Sequence, residues 1–326
     1  MIGTMLKALS APVFAFGLIA CTQTVEAPAP PLTTQFPLAT VEQGAAALSA
    51  DDEFMAAVSA ADIAIRVRRA GATKEELRAV YASAPRPWTE AERVRLNTML
   101  TRHGGELDQL ARWLPPSVLL IKSDGAADTQ LPHTRGAAIN MGVALPDEDA
   151  TLDGLFFHEL FHVLSRHNGA RRDEMYAIVG FERCEIALPA ALQARTITNP
   201  DAPLVRHAAP LSTPGRLVAP VLFAEPPVFD PAHPDFDHYF QLRFLVADRT
   251  ADGGCALEIA DGEPVALPGA EAVAAIHAVA GRNTNYVLHP EELLADNFSQ
   301  LMMRRADAPD PQVQARLAGF LGLSLN

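Results

Sequence analysis

The stretch "FFHELFHVL", residues 156–164, contains two histidines and a glutamate at a spacing that is typical of a metal site. His158 and His162 stand four positions apart, and Glu159 directly follows the first histidine. On a helix, that spacing puts both imidazole rings on one face, one turn apart, where they can share a metal ion. The surrounding apolar residues predict a buried helix. Three polar groups on such a helix need partners, and a metal ion satisfies all of them.

These residue types match the requirements of a hydrolytic zinc site. Zinc lowers the pKa of a bound water to about 7, and a carboxylate that does not itself bind the ion can take the proton of that water. A catalytic zinc also needs a third protein ligand and an open fourth position. We therefore expect a Zn²⁺ cofactor bound by His158 and His162, with Glu159 as the catalytic base and a third ligand elsewhere in the chain.

Two known arrangements of the third ligand can be compared with the sequence. The first extends the motif with a glycine and a third histidine, but Ser165 and Asn168 occupy those positions, which excludes it. The second uses a glutamate on a later helix, followed four residues on by an aspartate. In this chain only Glu292 has an aspartate at that position, Asp296, and both lie in "HPEELLADNF" on a predicted helix that begins at Pro290.

The two motifs together resemble those of the gluzincin class of zinc metallopeptidases. The resemblance implies that Glu292 is the third zinc ligand, that Asp296 orients His158 through its other ring nitrogen, and that the protein hydrolyses peptide bonds. It covers two short helices, and the stretch between them is long for this class. The third ligand therefore has open alternatives, which are Glu291, His238 and His289.

The order of predicted elements, with this resemblance, indicates an α+β fold. We expect a zincin-like catalytic domain over residues 116–326, in which a twisted sheet packs on the metal helix. A β-rich insertion over residues 189–268 accounts for the long separation of the motifs. The segment 135–142 predicts a strand that either pairs with a substrate backbone or is an ordinary strand of the sheet.

Residues 46–115 predict a helical N-terminal region without catalytic chemistry. One helix is expected over residues 51–71, since that segment opens with acidic residues and closes with Arg68, Arg69 and Gly71. Two further helices are predicted to start at capping boxes, in which a threonine and a glutamate three residues later satisfy each other's backbone amides. The pairs are Thr73 with Glu76 and Thr89 with Glu92.

The first residues have the character of an export signal. Residues 1–20 carry one cation, Lys7, and then an apolar run that is too short to span a membrane comfortably. The run ends in Leu-Ile-Ala before Cys21, which resembles a bacterial lipoprotein signal and implies lipidation of Cys21. We expect a Pro/Thr/Ala-rich tether over residues 21–45 and a protein that faces the periplasm, anchored in the outer membrane. The alternative is an ordinary secretory signal.

The bulk composition narrows the class of partner. A net charge of −13 and the absence of a basic stripe argue against nucleic-acid binding, whereas 49% hydrophobic residues describe a globular protein. The two remaining cysteines, Cys184 and Cys255, either form a disulfide or stay separate thiols, since the periplasm permits both.

Three functions compete on these grounds. The first is peptide-bond hydrolysis, with a peptide or protein substrate. The second is a zinc-binding scaffold on a degenerate peptidase fold, and the third is a structural envelope lipoprotein without metal. Substrate specificity, endo- or exopeptidase action and oligomeric state stay open at this point, as does a lid role for the insertion. The residue that would donate a hydrogen bond to the oxyanion of the reaction also stays open. The candidates are Tyr286, His289, Tyr239 and His238.

Overall fold

The structure is a computed structural model that describes residues 35–126 and 131–324, which belong to one unit spanning 31–326. It mixes helices and sheets, so the predicted α+β class is confirmed. The α-helices in the described residues are α1 (Val41–Leu48), α2 (Glu53–Ala57), α3 (Ala60–Val67), α4 (Lys74–Ser83), α5 (Glu90–Arg102), α6 (Gly104–Leu110), α7 (Asp149–His167), α8 (Arg172–Ala177), α9 (Ala190–Gln193), α10 (Gly269–Ala280), α11 (Pro290–Met302) and α12 (Pro311–Leu321).

Two principal sheets accompany these helices. The strands in the described residues are β1 (Pro85–Arg86), β2 (Leu119–Ser123), β3 (His133–Arg135), β4 (Ala138–Asn140), β5 (Glu182–Arg183), β6 (His207–Pro210), β7 (Arg216–Ala224), β8 (Phe240–Arg249), β9 (Cys255–Leu257), β10 (Ile259–Ala260), β11 (Glu263–Pro264) and β12 (Ala266–Leu267). Short 3₁₀ turns connect several of them.

The first sheet lies beside α7, the helix that carries His158 and His162, and has the strand order β1-β2-β4-β3. Strands β2 and β4 are parallel, with Leu120 opposite Ile139, and β3 returns antiparallel to β4. The predicted strand at residues 135–142 is therefore shorter, and it lies between two neighbours. Strand β3 occupies the outer position of this sheet among the described strands, because the turn at Gly136 folds the chain back on itself.

The second sheet forms the β-rich part of the chain expected between the two motifs. Its order is β12-β8-β7-β6-β5, with β9 also paired to β8, and all of its pairs are antiparallel. The long β7–β8 hairpin runs in register from Arg216 opposite Asp248 to Ala224 opposite Phe240. Cys184 and Cys255 are joined by a disulfide, so the alternative of two separate thiols is wrong.

The N-terminal helices follow local sequence signals closely. Both predicted capping boxes are confirmed, at the starts of α4 and α5. The single helix expected over residues 51–71 is instead two helices, α2 and α3. The chain is extended at Val58, and the Ser59 side chain then caps α3 by accepting a hydrogen bond from the Asp62 amide.

The predicted tether over residues 21–45 is wrong for its last part. Phe36 is buried in the main core with an edge-on contact to Phe156, and Leu38 forms a parallel bridge to Leu120 of β2. Helix α1 then begins at Val41 behind a capping box at Thr40. A segment that buries an aromatic ring and adds to a sheet edge gains hydrophobic stabilisation that a solvated tether lacks.

The signal sequence and Cys21 lie outside the described residues. Within residues 35–126 and 131–324, no helix combines the length and the apolar character that crossing a membrane requires.

The main hydrophobic core surrounds α7 and α11. Both helices bury one apolar side in it, and Phe298 of α11 packs against Phe157 and Phe161 of α7, with ring centroids 6.2 and 5.5 Å apart. Helix α7 buries most of its length, as the sequence predicts, and ends at His167 with Asn168 as its C-cap. This packing fixes the relative position of the two motif helices.

Candidate metal centre

The two sequence motifs meet along an antiparallel contact between α7 and α11. Ser299 donates a hydrogen bond to the Gly154 carbonyl, and His158 contacts Asp296 one turn further along α7. His162 then contacts Glu291 at the start of α11. Residue numbers that increase along α7 therefore contact residue numbers that decrease along α11. The contacting residues are four apart on α7 and three to five apart on α11, so they lie on facing sides of the two helices.

Three donor atoms converge between the helices. Glu292 Oε2 lies 3.2 Å from His158 Nε2 and 3.6 Å from His162 Nε2. Two donors on one tetrahedral zinc ion, each about 2.0–2.1 Å from it, are about 3.4 Å apart. The two measured separations lie on either side of that value. His162 Nε2 is also buried without a hydrogen-bond partner among the described residues. The three side chains therefore fit a tetrahedral ion with one position left for another group.

The other nitrogen of each histidine is held by its own carboxylate. His158 Nδ1 lies 2.9 Å from Asp296 Oδ1, and His162 Nδ1 lies 3.1 Å from Glu291 Oε1. When Nδ1–H donates to these oxygens, both Nε2 atoms present lone pairs to the space beside Glu292. Such carboxylate partners fix the tautomer and the ring orientation that metal binding requires.

Glu291 is the most firmly held of these carboxylates. Its side chain is fully buried, and its Oε2 accepts hydrogen bonds from the Tyr176 hydroxyl at 2.6 Å and from Ser165 Oγ at 2.7 Å. Burial raises the pKa of Glu291, but the hydrogen bond and charge of His162, with the Arg172 charge and the Tyr176 hydrogen bond, outweigh it and hold the pKa at about 2. Glu291 is thus a permanent anion behind His162.

Glu159 lies on the same side of the centre with a different environment. It is buried, and its Oε2 has no hydrogen-bond partner among the described residues. Burial, helped by the nearby Asp201 carboxylate, raises the pKa of Glu159 to about 8. The Asp201 and Glu292 carboxylates outweigh the effect of burial on His162 and raise the pKa of that imidazole to about 9. A divalent cation in this space would compensate the excess of negative charge.

Two groups of side chains in the described residues have the mutual distances that metal ligands require. The first is His158, His162 and Glu292, and the second is Glu159, His162 and Asp201, with one donor atom from each member within 4.8 Å of the others. The groups share His162, whose Nδ1 is engaged by Glu291. Only one nitrogen of His162 can then face a metal, so the two groups surround one space.

Asn199 and Asp201 also lie at the candidate centre, although no pattern in the sequence predicted them. Asn199 Nδ2 donates to Glu292 Oε1 at 2.5 Å, which fixes the carboxylate opposite the two imidazoles. Asp201 is 7% exposed and belongs to the second group of candidate ligands. Both residues lie in an irregular stretch, where neither periodicity nor spacing distinguishes functional from structural side chains.

The other residues considered from the sequence, as third ligands or as oxyanion donors, lie outside the group formed by His158, His162 and Glu292. His289 caps α11 by accepting from the Glu291 amide, and His238 stacks on His233 with ring centroids 4.3 Å apart. The Tyr239 hydroxyl bonds to backbone carbonyls of the preceding loop. Tyr286 is 40% exposed and its ring lies 6.2 Å from that of His158, so of the four candidate oxyanion donors it is the one beside the centre.

Comparisons of this chain with protein-family models, with curated proteins and with solved structures find no match. The interpretation of the centre therefore depends on its own geometry.

Proposed function

We propose that the protein is a zinc-dependent hydrolase of peptide bonds, with a zincin-like arrangement of its sheet and its two motif helices. The single observation that carries the proposal is the convergence of His158 Nε2, His162 Nε2 and Glu292 Oε2 at 3.2 and 3.6 Å. A histidine pair with one carboxylate is a donor set suited to zinc in hydrolytic enzymes.

The roles of this chain's residues follow from their positions. A zinc ion held by His158, His162 and Glu292 would lower the pKa of a water and polarise a carbonyl oxygen. Glu159 would take a proton from the attacking water as its oxygen bonds to the peptide carbonyl carbon, and would return that proton to the amine nitrogen as the C–N bond breaks. Asp296 and Glu291 keep both imidazoles directed at the ion.

The environment of Glu159 separates turnover from simple metal binding. A non-catalytic zinc scaffold needs the three donors but has no use for a buried carboxylate without a hydrogen-bond partner, which costs free energy. Glu159 Oε2 is such a group. Its presence at this position supports the hydrolase over the zinc-binding scaffold and over a metal-free envelope lipoprotein.

Metal analysis of the purified protein is the first test. We expect about one zinc ion per chain for a single site of this kind, and its loss in His162→Ala. The matched control is His238→Ala, because His238 is exposed and stacks on another histidine away from the centre. Loss of zinc in the control would instead identify His238 as a ligand, and absence of zinc from the wild-type protein would overturn the proposal.

The substitution Glu159→Gln tests the chemistry separately from the metal. We expect zinc content to be retained, while cleavage of a mixed peptide library falls on the order of 10²–10⁴-fold, the usual contribution of a general base. Glu271→Gln is the control, since Glu271 is an exposed residue in the first turn of α10. Equal cleavage by the Glu159→Gln and wild-type proteins would rule out the mechanism.

The location that we propose is the bacterial envelope, with a lipid on Cys21 as the anchor and the catalytic part facing the periplasm. The disulfide between Cys184 and Cys255 supports an oxidising compartment. Labelling with a radioactive fatty acid should mark the wild-type protein but not Cys21→Ala. Incorporation into both would show that Cys21 is not the site of attachment.

A further inference from the structure

A cavity of about 270 Å³ lies directly beside the candidate metal centre. Asn199 and Tyr286 line this cavity, and both also contact residues of the centre. Asn199 Nδ2 donates a hydrogen bond to Glu292 Oε1. The Tyr286 ring lies 6.2 Å from the ring of His158. A group that enters the cavity is therefore next to the space proposed for the metal ion.

The walls of the cavity are mainly apolar and come from distant parts of the chain. Leu222 of β7 and Phe240 of β8 lie on the same face of their hairpin, as the pairing register shows. Phe236, in the 3₁₀ turn before β8, contacts Phe240 with ring centroids 5.2 Å apart. Leu131 precedes β3 and Leu288 precedes α11. Apolar and aromatic walls of this kind are typical of a binding site for an apolar group.

Exposed apolar side chains gather at the mouth of this cavity. Leu131 is 63% exposed, and Phe240 and Tyr286 are each 40% exposed. The described residues expose only eight large hydrophobic side chains, and these three line one cavity. A single exposed apolar residue is ordinary, whereas a cluster of them marks a surface that binds a partner. The mouth is therefore suited to an apolar guest.

The guanidinium of Arg66 in the lining is already paired within the protein. Its Nε donates to Asp62 Oδ1 at 2.7 Å, and its Nη2 donates to the Thr198 carbonyl at 2.7 Å. Its Nη1 donates to the Tyr81 hydroxyl at 3.2 Å. An acidic side chain in the cavity would have to compete with Asp62 for this cation, which argues against an acidic guest.

The two acidic residues of the lining do not form a site for a basic side chain. Asp201 Oδ1 accepts from the Thr134 amide at 2.7 Å and from the Thr134 hydroxyl at 2.6 Å. Asp237 is exposed at the rim, where solvent and salt screen its charge. A lysine side chain in the cavity would lose the hydration of its ammonium group without a buried, uncommitted partner.

The size of the cavity is sufficient for an aromatic ring. Benzene fits an apolar cavity of about 150 Å³ in another protein, and the cavity beside Tyr286 is larger than that. A phenyl ring, an indole or a branched aliphatic side chain can therefore enter it.

We propose that this cavity is a specificity pocket, which binds a bulky apolar side chain of the substrate beside the peptide bond that is cleaved. The inference rests on the proposed hydrolase and names its substrate class, namely peptides with an aromatic or branched aliphatic residue next to the cleavage site. The occupant is a substrate side chain because Asn199 and Tyr286 make the cavity continuous with the candidate metal centre.

Peptide binding without turnover tests the pocket directly. The full-length Glu159→Gln protein is titrated calorimetrically with a capped pentapeptide of glycines that carries phenylalanine at its centre, and with the same peptide carrying alanine. We expect the phenylalanine peptide to bind about 10–100-fold more tightly, as burial of an aromatic side chain produces. Equal affinity for the two peptides would overturn the inference.

Two substitutions at the mouth locate the effect in this cavity. In the same Glu159→Gln protein, Phe240→Ala should lower the affinity for the phenylalanine peptide at least about fivefold and leave that for the alanine peptide unchanged. Leu131→Ala is a second variant, whose high exposure makes a folding defect negligible. The matched control is Ile259→Ala, since Ile259 is an exposed apolar strand residue outside the lining. Equal losses for both peptides, or no loss in either variant, would contradict the assignment.

Cleavage sites in a mixed peptide library provide a second readout from the wild-type protein. We expect phenylalanine, tyrosine, tryptophan and leucine to be enriched at one position next to the cut, and the enrichment to decrease in Phe240→Ala. Enrichment of lysine or arginine there would overturn the inference and assign the cavity to cations. Failure of the proposed function has a different signature, namely absence of zinc and of cleavage from the wild-type protein, whatever the two peptide affinities are.

Discussion

Glu291 and Glu292 are neighbours in the chain, yet their carboxylates contact opposite nitrogens of one imidazole. Glu291 Oε1 lies 3.1 Å from His162 Nδ1, and Glu292 Oε2 lies 3.6 Å from His162 Nε2. The relationship arises because both residues occupy the first turn of α11, where successive side chains diverge by about 100° and straddle the ring. Glu292 faces the space proposed for the metal ion, and Glu291 holds His162 from the opposite side of the ring.

This division of roles predicts different effects for the two glutamates. Glu291→Gln should weaken zinc binding about 10–100-fold, the usual cost of losing a partner that orients a metal-binding histidine. Glu292→Gln should abolish stoichiometric zinc, because it removes a donor atom from the site. Both are measured by competition with a chromophoric chelator.

Glu174→Gln is the control for both variants, since Glu174 is an exposed acid on the neighbouring helix α8 that pairs with Arg171. The reverse order of effects, with zinc lost in Glu291→Gln and retained in Glu292→Gln, would show that Glu291 is the ligand.

Asp296 provides an independent check on the orientation of His158. Its Oδ1 accepts from His158, and its Oδ2 accepts from the Thr284 hydroxyl. Asp296→Asn keeps the size of the side chain but weakens the charge-assisted bond, so zinc affinity should fall by about tenfold. Isothermal titration with zinc measures the change, and Thr284→Val, which removes only the outer contact, should have a smaller effect. Equal affinity in Asp296→Asn and the wild-type protein would contradict the assigned role.

The parts of the site that could be predicted are those set by local periodicity. His158 and His162 share a face because a helix repeats every 3.6 residues, and the same rule places Asp296 one turn after Glu292. His158 and His162 could therefore be identified from their spacing, and Glu292 and Asp296 from their spacing together with the resemblance to the gluzincin motifs. Asn199 and Asp201 could not, because their positions depend on contacts between an irregular segment and residues more than sixty positions away, such as Thr134.

The fold shows the same limit. Capping boxes at Thr73 and Thr89 are local signals, and they were sufficient to locate the starts of two helices. The break between α2 and α3 was missed because apolar and acidic residues continue through it. It is stabilised by long-range contacts, in which Ser59 binds the Thr196 carbonyl and Asp62 binds the Thr198 amide.

The buried pair of Asp62 and Arg66 links α3 to the segment beside the candidate metal centre. Arg66 Nε lies 2.7 Å from Asp62 Oδ1, and both side chains are almost fully buried. Removing one member of such a pair leaves an uncompensated buried charge, so Asp62→Ala should lower the free energy of unfolding by about 3–5 kcal/mol. Urea denaturation measures this value. Asp108→Ala, at an exposed position on α6, should change it by less than about 0.5 kcal/mol, and an equally small change in Asp62→Ala would show that the pair is not structural.

The N-cap of α11 predicts a pH dependence of stability. Burial lowers the pKa of His289 to about 4 from its ordinary value of 6.5, and the neutral ring accepts the Glu291 amide through Nδ1. Between pH 6.5 and 4 the unfolded chain therefore binds a proton that the folded protein does not. The free energy of unfolding should therefore decrease as the pH is lowered from 6.5 to 4, by up to about 3 kcal/mol in total.

Comparison with His289→Asn isolates this contribution from that of other titrating groups. Asparagine also accepts a hydrogen bond at a helix N-cap but does not titrate in this range. In the presence of a chelator, the wild-type protein should lose more stability than the variant between pH 6.5 and 4, as measured by urea denaturation at each pH. Parallel curves for the two proteins would mean that His289 keeps an ordinary pKa in the folded state.

The disulfide predicts how the β-rich sheet responds to reduction. Cys184 lies just after β5 and Cys255 begins β9, so the bond closes a loop with a sequence separation of 71 residues and ties together distant parts of this sheet. Reduction should lower the free energy of unfolding by about 2–5 kcal/mol. The double variant Cys184→Ala, Cys255→Ala is the control, because dithiothreitol should shift the unfolding midpoint of the wild-type protein and leave that of the variant unchanged. The motif helices α7 and α11 contain neither cysteine, so the variant should still bind zinc, and a loss of zinc on reduction would mean that the metal centre depends on the sheet more closely than these contacts indicate.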